Sequence, residues 1–335
     1  MKQAILYQQL KNQNVRCQAC NHCCIIVPGK RGLCGVRQNQ NGKLYSLVYG
    51  KAAACNLDPI EKKPFFHFLP GTYSLSIATV GCNFSCLHCQ NYDISQGPKE
   101  TGEIFGEDLL SEEIVKKAIE LDAPSISYTY TEPTVFVEYA LDTMKLAKKQ
   151  GLKNNWVTNG YMTPETLELI APYLDAANVD LKFFQDDLYQ KICGAKLEPI
   201  LNSLKLMKKY KIWVEVTTLV IPGYTDLGTQ FEDIANFIKN ELGAETPWHI
   251  SRFYPTYKLT QSPPTPAELI HKAREIGKKV GLKYVYTGNI LNDDGENTYC
   301  PKCQSLVVQR LGYEITRFDK NGKCPKCGEK LDFIL

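Results

Sequence analysis

The run Tyr73-Ser74-Leu75-Ser76-Ile77-Ala78-Thr79-Val80-Gly81-Cys82-Asn83-Phe84-Ser85-Cys86-Leu87-His88-Cys89-Gln90-Asn91 joins a strand to a cysteine loop. Ser74–Thr79 alternates small polar with apolar residues and reads as a β-strand. The loop that follows carries three thiols in the pattern C-x3-C-x2-C. An iron–sulfur cube offers four irons, each needing a ligand, and this loop supplies only three thiolates. One iron is left open, and an open coordination position marks a catalytic site rather than a structural one. A zinc site completed by a distant fourth ligand is the alternative reading of the same spacing.

From this strand onward the chain repeats a strand–helix beat. Strand-like runs recur at Ser125–Tyr130, Asn154–Thr158, Ala176–Leu181, Ile212–Val220 and Trp248–Phe253, separated by amphipathic stretches. The helices carry their own end signals. Ser111 stands as a cap, with Leu110 and Val115 placed as a staple, and Thr163-Pro164 and Thr265-Pro266 put a hydroxyl before a proline. Gly151 and Gly281 follow paired lysines where helix carbonyls need partners. Six such units predict an α/β fold with a parallel sheet and right-handed crossovers. Polar residues gather just after the strands: Gly81–Cys89, Thr129–Glu132, Thr158-Asn159-Gly160, Asp180 and Lys182, Thr217-Thr218, and Arg252. That distribution favours a partial parallel (β/α)6 barrel, whose active site lies at the strand ends, over an open doubly wound sheet. The expected organisation is an N-terminal Cys-rich module and lead-in over 1–72, the barrel over 73–290, and a linker with a metal-bound tail over 291–335, in which Leu291–Thr298 is a polar linker.

The chain has 335 residues and a net charge of +3, too small to argue for nucleic acid, and no basic run stands out. It lacks an apolar stretch of the about 18 residues that a membrane helix needs, and Met1–Leu10 has no signal-peptide core, so the expectation is a cytoplasmic protein with no membrane partner. Of its 14 cysteines, all but Cys55 and Cys193 fall into three tight groups, which favours metal over disulfides. Cys55 and Cys193 read as ordinary buried thiols. At the N-terminus, Cys17, Cys20, Cys23, Cys24 and Cys34 with His22 compete for one site. Neighbours Cys23 and Cys24 point apart, so the ligand set chosen is Cys17, Cys20, Cys24 and Cys34; zinc and a second iron–sulfur cluster fit it equally. At the C-terminus, Cys300-Pro301-Lys302-Cys303 and Cys324-Pro325-Lys326-Cys327 form two matching knuckles of the zinc-ribbon pattern. So short a tail has too small a core to fold without its metal.

The triplet Cys82, Cys86, Cys89 resembles the signature of the radical S-adenosylmethionine superfamily. The resemblance implies a 4Fe–4S cluster on these three residues and S-adenosyl-L-methionine chelated at the open iron. It also implies a 5′-deoxyadenosyl radical that abstracts hydrogen from substrate. Thr131 and Glu132-Pro133 stand where that superfamily grips the cofactor's ammonium group, though the usual glycines are replaced. Asp180-Leu181-Lys182 resembles a segment of the glycyl-radical-enzyme activases in which both charges approach the cofactor. Strand alternation sends Asp180 and Lys182 to one side, and an ion pair between them is the competing reading. Trp156-Val157-Thr158-Asn159-Gly160 is also similar to those activases, with Val157 where they carry an acidic residue. His88 stands where an aromatic residue offers its backbone to the adenine. His249 and Arg252 are further candidates toward cofactor or substrate, and a lone strand histidine is more often a satisfied core residue.

The order of motifs over the whole chain resembles the radical enzyme of the AmmeMemoRadiSam system, a relative of pyruvate formate-lyase activating enzyme. Those motifs include Asp58-Pro59-Ile60-Glu61-Lys62-Lys63-Pro64, His67-Phe68-Leu69-Pro70-Gly71, Ser251-Arg252-Phe253 and Tyr284-Val285-Tyr286-Thr287-Gly288-Asn289. Cys23 and His88 depart from the pattern. The resemblance implies a glycyl-radical-activase-like oxidoreductase acting on an unknown substrate, such as a protein. It further implies an external electron donor such as flavodoxin or ferredoxin, and association with Memo-type and Ammecr-type proteins. A small-molecule substrate, and a non-enzymatic metal scaffold for partner proteins, are the competing readings.

Overall fold

The computed structural model describes residues 1–291 and 293–335; position 292, within the expected linker, lies outside the described residues. The core is one eight-stranded sheet. Its strands are β1 (Ala54–Pro59), β2 (Tyr73–Ala78), β3 (Ser125–Tyr128), β4 (Lys153–Thr158), β5 (Ala176–Asp180), β6 (Trp213–Val220), β7 (Trp248–Arg252) and β8 (Val285–Gly288), hydrogen-bonded in chain order. β2 to β8 are parallel, and β1 pairs antiparallel with β2 at the edge. The six expected strands appear within two residues of their expected bounds. The sheet is larger than the expected six units, gaining β8 at one edge and β1, from the lead-in, at the other.

Between the parallel strands run α1 (Tyr92–Glu100), α2 (Ser111–Glu120), α3 (Val137–Lys149), α4 (Pro164–Ile170), α5 (Leu197–Lys209), α6 (Gln230–Phe237) and α7 (Ala267–Val280). Their ends follow local chemistry, with two corrections. Thr163 caps α4 as expected, accepting from the Thr166 amide at 3.2 Å. α2 starts at Ser111 itself, and the Glu113 carboxylate reaches back to the Leu110 amide at 2.6 Å. Thr265 does not cap α7: its hydroxyl is spent on the Val220 carbonyl at 2.5 Å and the Phe253 amide at 2.9 Å, tying β6 to the segment after β7.

A parallel sheet covered by helices on both faces reads as continuous apolar runs. Here the strands alternate. One face, with Leu75, Ile77, Ile126, Tyr128, Trp156, Val179, Val216 and Ile250, belongs to the main apolar core. The other carries Ser74, Ser76, Ser127, Asn155, Asn178, Glu215 and His249, all buried. Register aligns this polar face into ladders: Ser74 Oγ meets Ser127 Oγ at 2.6 Å, Ser127 donates to Asn155 Oδ1 at 2.7 Å, and Thr217 donates to Asn178 Oδ1 at 2.8 Å.

The strand-start end of this face is closed by residues 60–70. The Glu215 carboxylate accepts the amides of Phe66, His67 and Phe68 at 3.0, 2.9 and 3.2 Å, the Trp213 indole N–H at 3.1 Å, and His249 Nε2 at 2.7 Å. Burial pushes the Glu215 carboxyl up, but His249 and these amides outweigh it and hold it below the usual carboxylate range. His249 is therefore a satisfied core residue. The tail docks on the same plug: Ile334 donates to the His67 carbonyl at 2.9 Å, and Arg310 to the Phe66 carbonyl at 2.9 Å.

His67 itself donates from Nδ1 to the Asp332 carbonyl at 2.9 Å and accepts the Tyr286 hydroxyl at Nε2 at 2.7 Å, the pairing of a neutral ring. Burial lowers its pKa to about 4. The folded value lies below the unfolded one of about 6.5, so its contribution to stability is complete above that pH and is lost as pH falls toward 4. Denaturant midpoints measured across this window are expected to fall with acid. The slope in His67→Gln should be shallower by up to about 1.4 kcal/mol per pH unit, the weight of one proton; equal slopes would remove His67 from the linkage. No helix among the described residues is long and apolar enough to cross a membrane.

Candidate active site

The cysteine loop leaves β2 through Gly81, whose φ of +98° and crowding both require glycine: a Cβ there would lie 2.5 Å from Val36 Cγ1 and 3.0 Å from the Cys34 carbonyl. The loop is then held from several sides. The Ser85 and Leu87 amides donate to the carbonyls of Cys193 and Ile192 at 2.9 and 3.0 Å. Gln96 and Lys99, on α1, donate to the Phe84 carbonyl at 3.1 and 2.5 Å. Asn91 donates to the Tyr130 carbonyl at 2.8 Å, lacing the loop to the end of β3. Cys86 is buried, while Cys82 and Cys89 are part-buried. Their sulfurs do not form a set all within 4.8 Å of one another; among the described residues only Cys300, Cys303, Cys324 and Cys327 do.

Each residue expected near this loop has a definite place. Asn159 donates to Asn83 Oδ1 at 2.7 Å and reaches Cys82 Sγ at 4.0 Å. Glu132 does not project an open carboxylate: it accepts the Thr134 amide and hydroxyl, the Thr158 hydroxyl and the Asn159 amide at 3.0, 2.5, 2.8 and 2.8 Å. The clasp fixes the turn that carries Asn159, so Glu132 positions this rim instead of presenting a free oxygen. Thr131 donates to the Thr79 carbonyl at 2.8 Å. Lys182 and Asp180 form an ion pair at 2.7 Å. Burial opposes the charge on Lys182, but Asp180 and the nearby Cys86 and Cys193 sulfurs hold its pKa well above the usual lysine value. His88 is buried with both ring nitrogens unpartnered, and burial with Lys182 nearby lowers its pKa to about 3. Arg252 donates to the Thr265 carbonyl at 2.8 Å, at the far rim.

In the sequence Cys193 stands as an isolated thiol. It is buried, ends a π-helical turn over Tyr189–Cys193, and its thiol lies beside Cys86, raising the Cys86 pKa well above the usual thiol value. No spacing rule could have found it, because 107 residues separate the pair; the π turn, a feature frequent at functional sites, is a structural signal.

The donor set suits an iron–sulfur cluster. Three thiols lie apart on one loop, the ammonium of Lys182 is near Cys86, and both His88 nitrogens are buried without partners beside the ligands. The two flanking modules differ from one another. The tail brings Cys300 Sγ to 3.7 Å from Cys327 Sγ and Cys303 Sγ to 3.6 Å from Cys324 Sγ, on a three-stranded sheet. At the N-terminus, Cys17, Cys20, Cys24 and Cys34 line one pocket together with His22, Arg37 and Asn83. Cys23 is exposed with φ of 45°, outside that pocket.

A family model described as the radical SAM superfamily matches residues 76–238. The chain is similar along its full length to the uncharacterized protein MJ0808 of Methanocaldococcus jannaschii, at 48% identity over 338 residues, 100% of each protein. It is similar to the pyruvate formate-lyase 1-activating enzyme of Escherichia coli (strain K12), at 25% identity over 62% of this chain and 89% of that enzyme. Among solved structures, Streptococcus suis SuiB bound to S-adenosylmethionine matches with a TM-score of 0.50 and 12% identity, over 64% of this chain and 50% of that one. That likeness is one of fold.

Proposed function

Because the chain belongs to the radical SAM superfamily, we propose that Cys82, Cys86 and Cys89 hold a 4Fe–4S cluster and that the chain acts on a protein substrate. Bound there, the cluster and S-adenosylmethionine supply one-electron cleavage of the sulfonium and a 5′-deoxyadenosyl radical that abstracts hydrogen. The observation that carries this reading is the three-thiol loop at the end of β2, whose sulfurs are not gathered as those of the tail are, with Lys182 and His88 beside it. The residues of this chain do the positioning. Glu132 clamps the Thr158-Asn159 turn, Asn159 braces Asn83 and Cys82, and Asp180 steadies the Lys182 charge facing Cys86. Backbone carbonyls at the end of β3 and the Asp180 carboxylate are the groups available to an ammonium. We read the sheet as a partial barrel wrapped around its polar face, plugged at the strand-start end by residues 60–70. The reading of the tail is a zinc site, since a zinc–sulfur bond of about 2.3 Å gives a tetrahedral edge near 3.8 Å. The external donor is a flavodoxin or ferredoxin, and Memo-type and Ammecr-type proteins are the partners to test first.

The protein substrate rests on the similarity to an enzyme named for activating pyruvate formate-lyase. A small-molecule substrate is favoured by one feature, the buried polar face, where Ser76 Oγ, Ser125 Oγ and Asn155 Nδ2 lack partners. The two readings separate in one experiment. The reduced, reconstituted enzyme is incubated with S-adenosylmethionine and a cell extract split by ultrafiltration, and 5′-deoxyadenosine is quantified. Stimulation by the retained fraction, lost on protease treatment, is the expected result; stimulation by the filtrate alone replaces the protein substrate with a small one.

A further inference from the structure

The molecule contains two four-cysteine sets, and they are built differently. In the tail, all four sulfurs lie within 4.8 Å of one another, the spacing of ligands around one ion. Cys17, Cys20, Cys24 and Cys34 share a pocket but are not gathered that tightly. In this they match the Cys82, Cys86, Cys89 loop, whose sulfurs are also dispersed. Ligands of a cubane sit on different irons at different corners and must stand further apart than ligands of one zinc.

The pocket wall shows that an anionic group belongs there. Arg37 and Asn83 both line it, both are at least 97% buried, and each has an unpartnered N–H, Arg37 Nε and Asn83 Nδ2. The rest of the Arg37 guanidinium is committed to Glu138, at 2.9 and 2.7 Å, and to the Val135 carbonyl at 3.3 Å. Thiolates of a four-cysteine metal site are the acceptors such donors fit, and the wide sulfur spacing is what selects a cluster over a single ion. The pocket also touches the catalytic loop. Asn83 directly follows Cys82, its carbonyl lies 3.0 Å from His22 Nε2, and the Cys34 carbonyl packs on Gly81.

We infer that Cys17, Cys20, Cys24 and Cys34 bind an auxiliary 4Fe–4S cluster, not zinc. Cys23 is excluded because its left-handed backbone leaves the thiol exposed, directed to the Cys20 carbonyl at 3.7 Å. The inference does not rest on radical chemistry at the neighbouring loop, and its test removes that loop. In the full-length chain, Cys82, Cys86 and Cys89 are replaced together by Ala, and the anaerobically reconstituted protein is assayed for iron, sulfide and zinc and examined by Mössbauer spectroscopy. The expected result is about four irons and four sulfides with about one zinc. Adding Cys17→Ala and Cys34→Ala should remove the iron and leave the zinc. About two zincs, or no iron, in the triplet variant overturns the assignment. Should that variant fail to fold, the unmodified protein decides: about eight irons with one zinc supports the assignment, and about four irons with two zincs overturns it.

Discussion

Cys86→Ala is expected to abolish reductive cleavage of S-adenosylmethionine while leaving the protein folded. Cys86 is the middle thiol of the loop, buried, and held by amide bonds on both sides from Ser85 and Leu87 to the Tyr189–Cys193 turn. Those backbone bonds do not need the thiol, so the loop keeps its course when sulfur is removed. The cluster loses one of three protein ligands. Disturbing only the groups around a metal ligand costs about 10–100-fold in affinity or activity, and losing the ligand itself costs more. 5′-Deoxyadenosine should therefore fall by more than about 100-fold, with iron content down by about four per chain. Cys193 complicates the single variant, because its thiol lies beside Cys86 as a substitute sulfur ligand. The double variant Cys86→Ala/Cys193→Ala closes that route. Retained cleavage in the double variant, with zinc in the tail unchanged, would place the chemistry somewhere other than this loop.

Glu215→Ala is expected to cost about 3 kcal/mol or more of stability, because it strands several buried hydrogen-bond donors at once. Its carboxylate is fully buried and gathers five donors: three successive amides, an indole and an imidazole. Truncation strands all of them without water, each at a cost of about 1–3 kcal/mol when nothing replaces the acceptor. The consequence reaches beyond β6, because residues 66–68 hold the tail through Ile334 and Arg310. Glu215→Gln should be milder, since one oxygen survives while its amide faces donors. Urea unfolding followed by tryptophan fluorescence measures both; a loss below about 1 kcal/mol for the alanine variant would mean that water takes over the role of the carboxylate.

The sequence made local chemistry legible and long-range chemistry obscure. The strand–helix beat and the cysteine groups are periodic or closely spaced, so they stand out without a structure. β8 went unread as a strand because Val285–Gly288 is short, and β1 because Ala54–Pro59 lacks alternation and ends in proline, tolerable only at an edge. Thr265 carries the signals of a cap, yet β6 and the segment after β7 claim its hydroxyl first. Glu132 reads from sequence as a ligand for an ammonium group; in the fold it accepts from four protein donors, and two of these depend on residues 158 and 159 arriving from the next strand. The polar face was hidden for a related reason: Ser76, Asn155 and Glu215 look unremarkable one strand at a time, and only register lines them up. The Cys86–Cys193 contact is the extreme case, since it joins a loop to a turn three strands later.

The central claim is that the loop of Cys82, Cys86 and Cys89 leaves one iron open to S-adenosylmethionine. Electron–nuclear double resonance on the reduced protein tests it directly, using S-adenosylmethionine carrying nitrogen-15 in its amino group and carbon-13 in its carboxyl group, in the Cys17→Ala/Cys34→Ala background so that only this site contributes. The account predicts hyperfine coupling from both labels to the cluster. Absence of coupling from either label, in a protein with its iron intact, would show that the corner is closed and contradict it.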